Sequence, residues 1–164
     1  MASGFEPFGA LRALTDAGVA FVVIGGIGGR LHGSTTVTND LDICYERSAE
    51  NLDSLAAVLR DADARLRGVE DDVPFILDGE TLAAGDSFTF DTAFGALDII
   101  GTPAGTGGFD ALASNAIRYE LSDIEVLVAS IDDLIAMKQA AGRPKDLIEV
   151  EVLGALREEI DGIE

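Results

Sequence analysis

The sequence predicts one α/β (α+β) domain spanning residues 1–164, and three observations carry that prediction. Apolar, β-branched runs of strand length recur along the chain, as in Phe21-Val22-Val23-Ile24 and Leu97-Asp98-Ile99-Ile100. Segments with apolar residues at helical spacing lie between them. No repeat, linker or low-complexity stretch divides the chain, and 164 residues suffice for a hydrophobic core.

Residues 6–17 read as an amphipathic helix, with Phe8, Leu11 and Leu14 at helical spacing and Gly18 as the stop. Residues 19–24 suit a buried strand, which Gly25-Gly26 turns into a short helix over 27–33. A second strand covers 40–45. Ser48 is placed to cap a helix over 48–62, with Glu50 and Asp53 complementing its dipole. The segment 64–86 carries a turn signal at Asp71-Asp72-Val73-Pro74 and a short helix over 78–84. Ser87–Asp91 and Leu97–Ile100 read as a hairpin turning at Phe94-Gly95. The glycine-rich stretch Gly101–Gly108 reads as a loop before a short helix over 109–114. Strands over Arg118–Leu121 and Glu125–Val128 turn at Ser122-Asp123. Two helices, 130–141 and 144–158, finish the chain, with Pro144 suited to a first helical turn.

Thirty acidic residues against eleven basic ones give a net charge of −19. Such a charge opposes non-specific nucleic-acid binding, which needs Lys and Arg against phosphate, and favours a cationic partner. It serves equally as a solubility surface. The longest apolar runs are strand-sized, so no membrane span is expected, and the N-terminus has no signal-peptide pattern. The single cysteine, Cys44, reads as a buried strand residue and fits a reducing cytoplasm.

The chemistry sits in Asp40-Leu41-Asp42-Ile43. Alternate strand residues share a face, so Asp40 and Asp42 project together while Leu41 and Ile43 face the core. Two such carboxylates repel each other unless a cation joins them, and hard oxygen ligands suit Mg²⁺ or Mn²⁺. Asp98, between Leu97 and Ile99, is also presented by a strand. If that strand lies beside residues 40–45, the three carboxylates form a set able to hold two metal ions. Taken alone, an Asp-x-Asp pair is also an ordinary solvated strand end. Gly25-Gly26 lets backbone approach a phosphate at a helix N-terminus, or serves as a plain tight turn.

Gly25-Gly26, thirteen intervening residues, Asp40-Leu41-Asp42-Ile43 and the later Asp98 resemble the nucleotidyltransferase superfamily of the DNA polymerase beta type. The stretch from Ile24 through Arg30-Leu31-His32-Gly33 to Thr38-Asn39-Asp40-Leu41-Asp42 is closer to a minimal bacterial branch. That branch holds the toxin components of AbiE- and MenT-like toxin–antitoxin systems. Met137-Lys138-Gln139-Ala140-Ala141-Gly142-Arg143-Pro144-Lys145-Asp146-Leu147 resembles a second motif of the same branch, and the likeness covers roughly residues 18–153.

The resemblance implies a nucleotidyltransferase fold, a central mixed sheet flanked by helices, and transfer of a nucleoside monophosphate from an NTP such as ATP to a hydroxyl. Asp40, Asp42 and Asp98 are the implied metal ligands, with Asp98 also taking the acceptor proton. Gly25 and Gly26 are the implied phosphate turn. Lys138 is the implied catalytic cation on the triphosphate, assisted by Arg143 or Lys145. Lys138 and Lys145 are the only lysines, and they also read as cations at a helix end. Asp146 either orients Lys138 or caps the last helix. Two positions depart from the pattern: Gly26 stands where many superfamily members have serine, and Thr36 stands near the branch's arginine. His32, the only histidine, reads as a packing or capping residue before a catalytic one.

The acceptor is open among a small cationic molecule, tRNA and protein. An antitoxin partner and a dimer that shares the acceptor site are both compatible with the sequence. The rival expectation is a catalytically degenerate module of the same fold that binds nucleotide or protein. Retention of all three carboxylates argues against it.

Overall fold

The computed structural model describes residues 4–70 and 74–162. The turn signal at Asp71-Asp72-Val73-Pro74 therefore lies, up to Val73, outside the described residues. The elements run α1 (Pro7–Asp16), β1 (Phe21–Ile24), α2 (Gly25–His32), β2 (Asp40–Tyr45), α3 (Ala49–Asp61), β3 (Arg65–Leu66) and α4 (Gly79–Ala84). They continue with β4 (Ser87–Thr92), β5 (Gly95–Ile100), α5 (Phe109–Asn115), β6 (Ile117–Leu121), β7 (Ile124–Val128), α6 (Ile131–Ala141) and α7 (Pro144–Asp161).

The strands form a seven-stranded sheet in the order β3-β4-β5-β2-β1-β7-β6. It is mixed: β2 pairs β5 in parallel and β1 pairs β7 in parallel, while β1–β2, β3–β4, β4–β5 and β6–β7 are antiparallel. Helices cover both faces. On one face Leu41, Ile43, Tyr45, Leu97 and Ile99 pack with Leu11 and Leu14 of α1 and Leu52, Leu55 and Leu59 of α3. On the other, Val22, Ile24 and Cys44 pack with Leu112 of α5, Leu134 and Ile135 of α6 and Leu153 of α7. Central strands buried on both faces carry near-continuous apolar runs, which is the pattern of β1.

The local signals have physical counterparts. Gly18 takes a left-handed φ of 74° after α1. Ser48 caps α3 by accepting the Asn51 backbone N–H at 3.2 Å, and Asp78 caps α4 by accepting that of Thr81 at 2.8 Å. Most boundaries shift by one or two residues, β5 beginning at Gly95 and not at Leu97, and three differences have more to say. The second helix begins at Gly25 itself, because the left-handed glycine lets the chain enter the helix without an intervening turn. The two-residue strand β3 had no detectable periodicity. The last helix runs on to Asp161, three residues past the expected 158. Among the described residues, no helix is long and apolar enough to cross a membrane.

Candidate functional site

The sheet register assembles the carboxylates. β2 and β5 run side by side with Asp42 opposite Asp98, and Asp40 two residues earlier lies on the same face. One carboxylate oxygen from each of Asp40, Asp42 and Asp98 falls within 4.8 Å of the other two. All three side chains are half-buried.

Crowded, partly dry carboxylates resist ionisation together. The Asp42 carboxyl is pushed up to about 7, first by burial and then by the negative charges of Asp40 and Asp98, with Lys138 acting in the opposite direction. Asp98 is also raised, first by burial, against the lowering effect of Arg67. Asp98 Oδ1 is buried and accepts no hydrogen bond, although Arg67 Nη2 stands 3.0 Å away as an ion pair. The short distance and the missing hydrogen bond agree once direction is considered: one of the two Nη2 protons goes to the Phe90 carbonyl, 2.7 Å away, and the other is not aligned on Asp98 Oδ1. An all-carboxylate set with an unclaimed buried lone pair fits a hard divalent cation, whose charge would relieve the repulsion.

Glycines let the cluster sit close to the helix start. Ile24, the last residue of β1, lies opposite Asp42, so Gly25 meets the Asp42 side chain as the chain turns into α2. At Gly26 a Cβ would lie 2.8 Å from the Cβ of Thr38. Thr38 in turn donates its hydroxyl to Asp40 Oδ1 at 3.0 Å. A side chain at position 26 is thus blocked by a threonine that holds Asp40.

The cationic side comes from α6 and α7. Gly142 ends α6 in the left-handed region, and Pro144 opens α7 two residues later. Asp146 is 1% exposed and does both things the sequence left open. It caps α7 by accepting the Arg143 backbone N–H at 3.2 Å, and it lies 3.7 Å from Lys138 Nζ. The Arg143 guanidinium donates to both Asp146 oxygens, at 2.6 and 3.2 Å, and holds that carboxyl below the usual range. Lys138, Arg143 and Lys145 line a cavity of about 320 Å³ together with Gly26, Asp40 and Asp42. A second, more apolar cavity of about 210 Å³ opens beside it, between Ile100, Pro103 and Ala104 on one side and Leu134 and Met137 on the other. Asp42, Lys138, Arg143 and Asp146 line both cavities, so the two form limbs meeting at the carboxylates.

Two solved structures share this architecture. The lincomycin-bound crystal structure of the lincosamide antibiotic adenylyltransferase LnuA matches with a TM-score of 0.62 at 14% identity, over 94% of this chain and 99% of that chain. The solution structure of the antibiotic-resistance factor ANT(2'')-Ia matches with a TM-score of 0.54 at 15% identity, over 95% of this chain and 89% of that chain. The chain has a nucleotidyltransferase-type fold. No family model and no curated protein sequence matches it.

Within that fold, the residues that the sequence offers for metal and nucleotide lie together along one cleft or its rim. Gly25, Gly26, Asp40, Asp42, Lys138, Arg143, Lys145 and Asp146 line the two limbs, and Asp98 completes the set of carboxylates close enough to hold a metal ion. Thr36, one of the two departures noted in the sequence, points its hydroxyl at the buried Glu149, as does Ser34 at 3.1 Å. Glu149 thereby tethers the 33–39 loop to α7. His32 is structural: the Ala129 carbonyl can only accept, so Nε2 carries the proton at 2.7 Å and Nδ1 accepts the Tyr119 hydroxyl at 2.9 Å. Cys44 is fully buried, and burial pushes its thiol up to about 12. Sequence reasoning passed over Thr38, Glu149 and Arg67. Thr38 sits two residues before Asp40 and was findable as a local hydroxyl, whereas Arg67 and Glu149 meet the site only through the tertiary fold.

Proposed function

We propose that this chain is a metal-dependent nucleotidyltransferase that moves a nucleoside monophosphate from an NTP to a hydroxyl of a small cationic acceptor, with residues 1–164 acting as one catalytic domain. The observation that carries the reading is the convergence of Asp40, Asp42 and Asp98 within 4.8 Å, at the edge of a cavity lined by Lys138 and Arg143.

Asp40, Asp42 and Asp98 would hold Mg²⁺ or Mn²⁺, which on binding supplies charge neutralisation for the triphosphate and acidity at the acceptor hydroxyl. The polar limb takes the triphosphate: Lys138 and Arg143 offset its negative charge, and the helix start at Gly25-Gly26 offers free N–H groups. The apolar limb takes the nucleoside. Asp98, whose Oδ1 lone pair is unclaimed, accepts the acceptor's proton as its oxygen attacks the α-phosphorus. A new oxygen–phosphorus bond forms, the bond to the β-phosphate oxygen breaks, and pyrophosphate leaves carrying the electron pair.

Charge favours the small cationic acceptor. A chain of net charge −19 has few groups with which to grip RNA. Among solved structures that share the fold are a lincosamide antibiotic adenylyltransferase and an antibiotic-resistance factor. A toxin of a toxin–antitoxin pair, acting on tRNA or protein in the cytoplasm, is the second reading. The motif over residues 137–147 favours it.

The test is incubation with each labelled NTP and Mg²⁺ or Mn²⁺ in the presence of separate pools of cationic small molecules, tRNA and protein. Label is expected in the small-molecule pool, lost with EDTA and lost in Asp42→Asn. Activity that survives Asp42→Asn would sink the metal assignment. Failure of every acceptor, with no measurable Mg–NTP binding, would favour the degenerate binding module.

A further inference from the structure

The site contains a cation that the metal-and-lysine scheme does not use. The Arg67 backbone N–H donates to the Thr89 carbonyl at 2.9 Å, and Thr89 lies directly opposite Asp98. Arg67 thus stands two strands from Asp98, about 10 Å across the sheet, a gap that an arginine side chain spans. Its guanidinium is fastened to β4 by two hydrogen bonds: Nε donates to Asp91 Oδ1 at 3.2 Å and Nη2 to the Phe90 carbonyl at 2.7 Å. Nη2 also lies 3.0 Å from Asp98 Oδ1, yet that oxygen accepts no hydrogen bond.

We propose that Arg67 is a built-in positive charge of the acidic cluster, a positioning residue that neutralises Asp98 without occupying its lone pair and so takes over part of the charge a second divalent ion would supply. This rests on the metal-dependent reading above. A guanidinium held by β4 remains in place when a metal ion arrives, and repels it. The Asp98 side of the cluster therefore binds a divalent ion weakly until substrate adds negative charge. The Asp40 and Asp42 side, farther from Arg67 and next to the triphosphate limb, is the tighter position.

The probe is Mn²⁺ alone, with the free ion followed by electron paramagnetic resonance in the full chain at fixed pH. Arg67→Met is expected to bind Mn²⁺ about tenfold more tightly than the wild type, and Arg67→Lys, which keeps the charge, to stay near the wild type. A merely structural arginine would give the opposite sign, because loosening the site weakens binding. Equal or weaker binding by Arg67→Met, with Mn²⁺ bound by the wild type, overturns the proposal and leaves the metal reading standing. No Mn²⁺ on the wild type or either variant overturns both. If Arg67→Met does not fold, the wild type carries the test. The Arg67 Nε–H resonance is expected to shift as Mg²⁺ is titrated in, and a resonance that stays fixed overturns the proposal.

Discussion

The Asp42 carboxylate lies across Gly25, so that a Cβ built on the glycine would fall 2.0 Å from Asp42 Oδ2 and 2.8 Å from its Cγ. The glycine also has a φ of 65°, a region that costs an L-residue about 1–2 kcal/mol. Gly25→Ala must therefore push Asp42 away from Asp98 as well as strain the backbone. The expected outcome is a loss of at least about 2 kcal/mol in denaturant unfolding, with Mn²⁺ binding abolished. A variant that melts earlier but binds Mn²⁺ normally would show that the close approach does not position Asp42.

The raised Asp42 pKa has a signed consequence for stability. In the folded chain this carboxyl keeps its proton up to about pH 7, whereas its ordinary value is 3.8. Between those values the folded state holds more protons than the unfolded one, so stability falls as pH rises through the window and levels off above it. In EDTA, the melting temperature should be higher at pH 5.5 than at pH 8. Asp42→Asn should flatten that slope, and Mg²⁺ should raise the melting temperature more at pH 8 than at pH 5.5. Carboxylates held low by a partner, such as Asp146, lose their contribution only at more acidic pH and do not obscure the window.

Asp146 joins the cationic wall to the last helix. Asp146→Ala removes the α7 cap and both Arg143 side-chain bonds, and it releases Lys138. Unfolding free energy should fall by about 1–3 kcal/mol. The Kd for Mg–NTP, measured by calorimetry, should rise while Mn²⁺ binding without nucleotide stays as in the wild type. Unchanged NTP affinity would detach Lys138 and Arg143 from the triphosphate.

His32 provides the contrasting case. His32→Phe deletes two hydrogen bonds that tie the end of α2 to Ala129 and Tyr119, and should cost about 1–2 kcal/mol in urea unfolding. Label transfer and Mn²⁺ binding should persist. Loss of transfer in a protein that still binds both Mn²⁺ and NTP would return His32 to the chemistry.

Legibility from the sequence followed the length of the signal. Residues 40–45 emerged with correct bounds because Leu41 and Ile43 alternate with the two aspartates. The caps at Ser48 and the start at Pro144 were visible because capping is a local act. The convergence of Asp98 on Asp42 was conditional in the sequence, since nothing local states that β5 neighbours β2. Arg67 was invisible for a similar reason: it follows a two-residue strand and meets Asp98 only across two ladders. The glycine pair was readable as a turn, but its partner was not. Only folded geometry shows that Gly25 makes room for a carboxylate and Gly26 for a threonine.

The shared ladder between β2 and β5 has a consequence for how variants of this chain are interpreted. Asp40 and Asp42 alternate with Leu41 and Ile43 on one strand, and Asp98 sits between the buried Leu97 and Ile99 on the next. A slip of one residue in that ladder would turn the acids into the oily interior and the leucines into the cleft. Core and chemistry are therefore written in the same few letters, and an activity screen would flag Leu41 and Leu97 as readily as the carboxylates beside them. Metal titration separates the two groups, because a repacked core can keep its acids aligned while an aspartate replaced by asparagine cannot regain its charge.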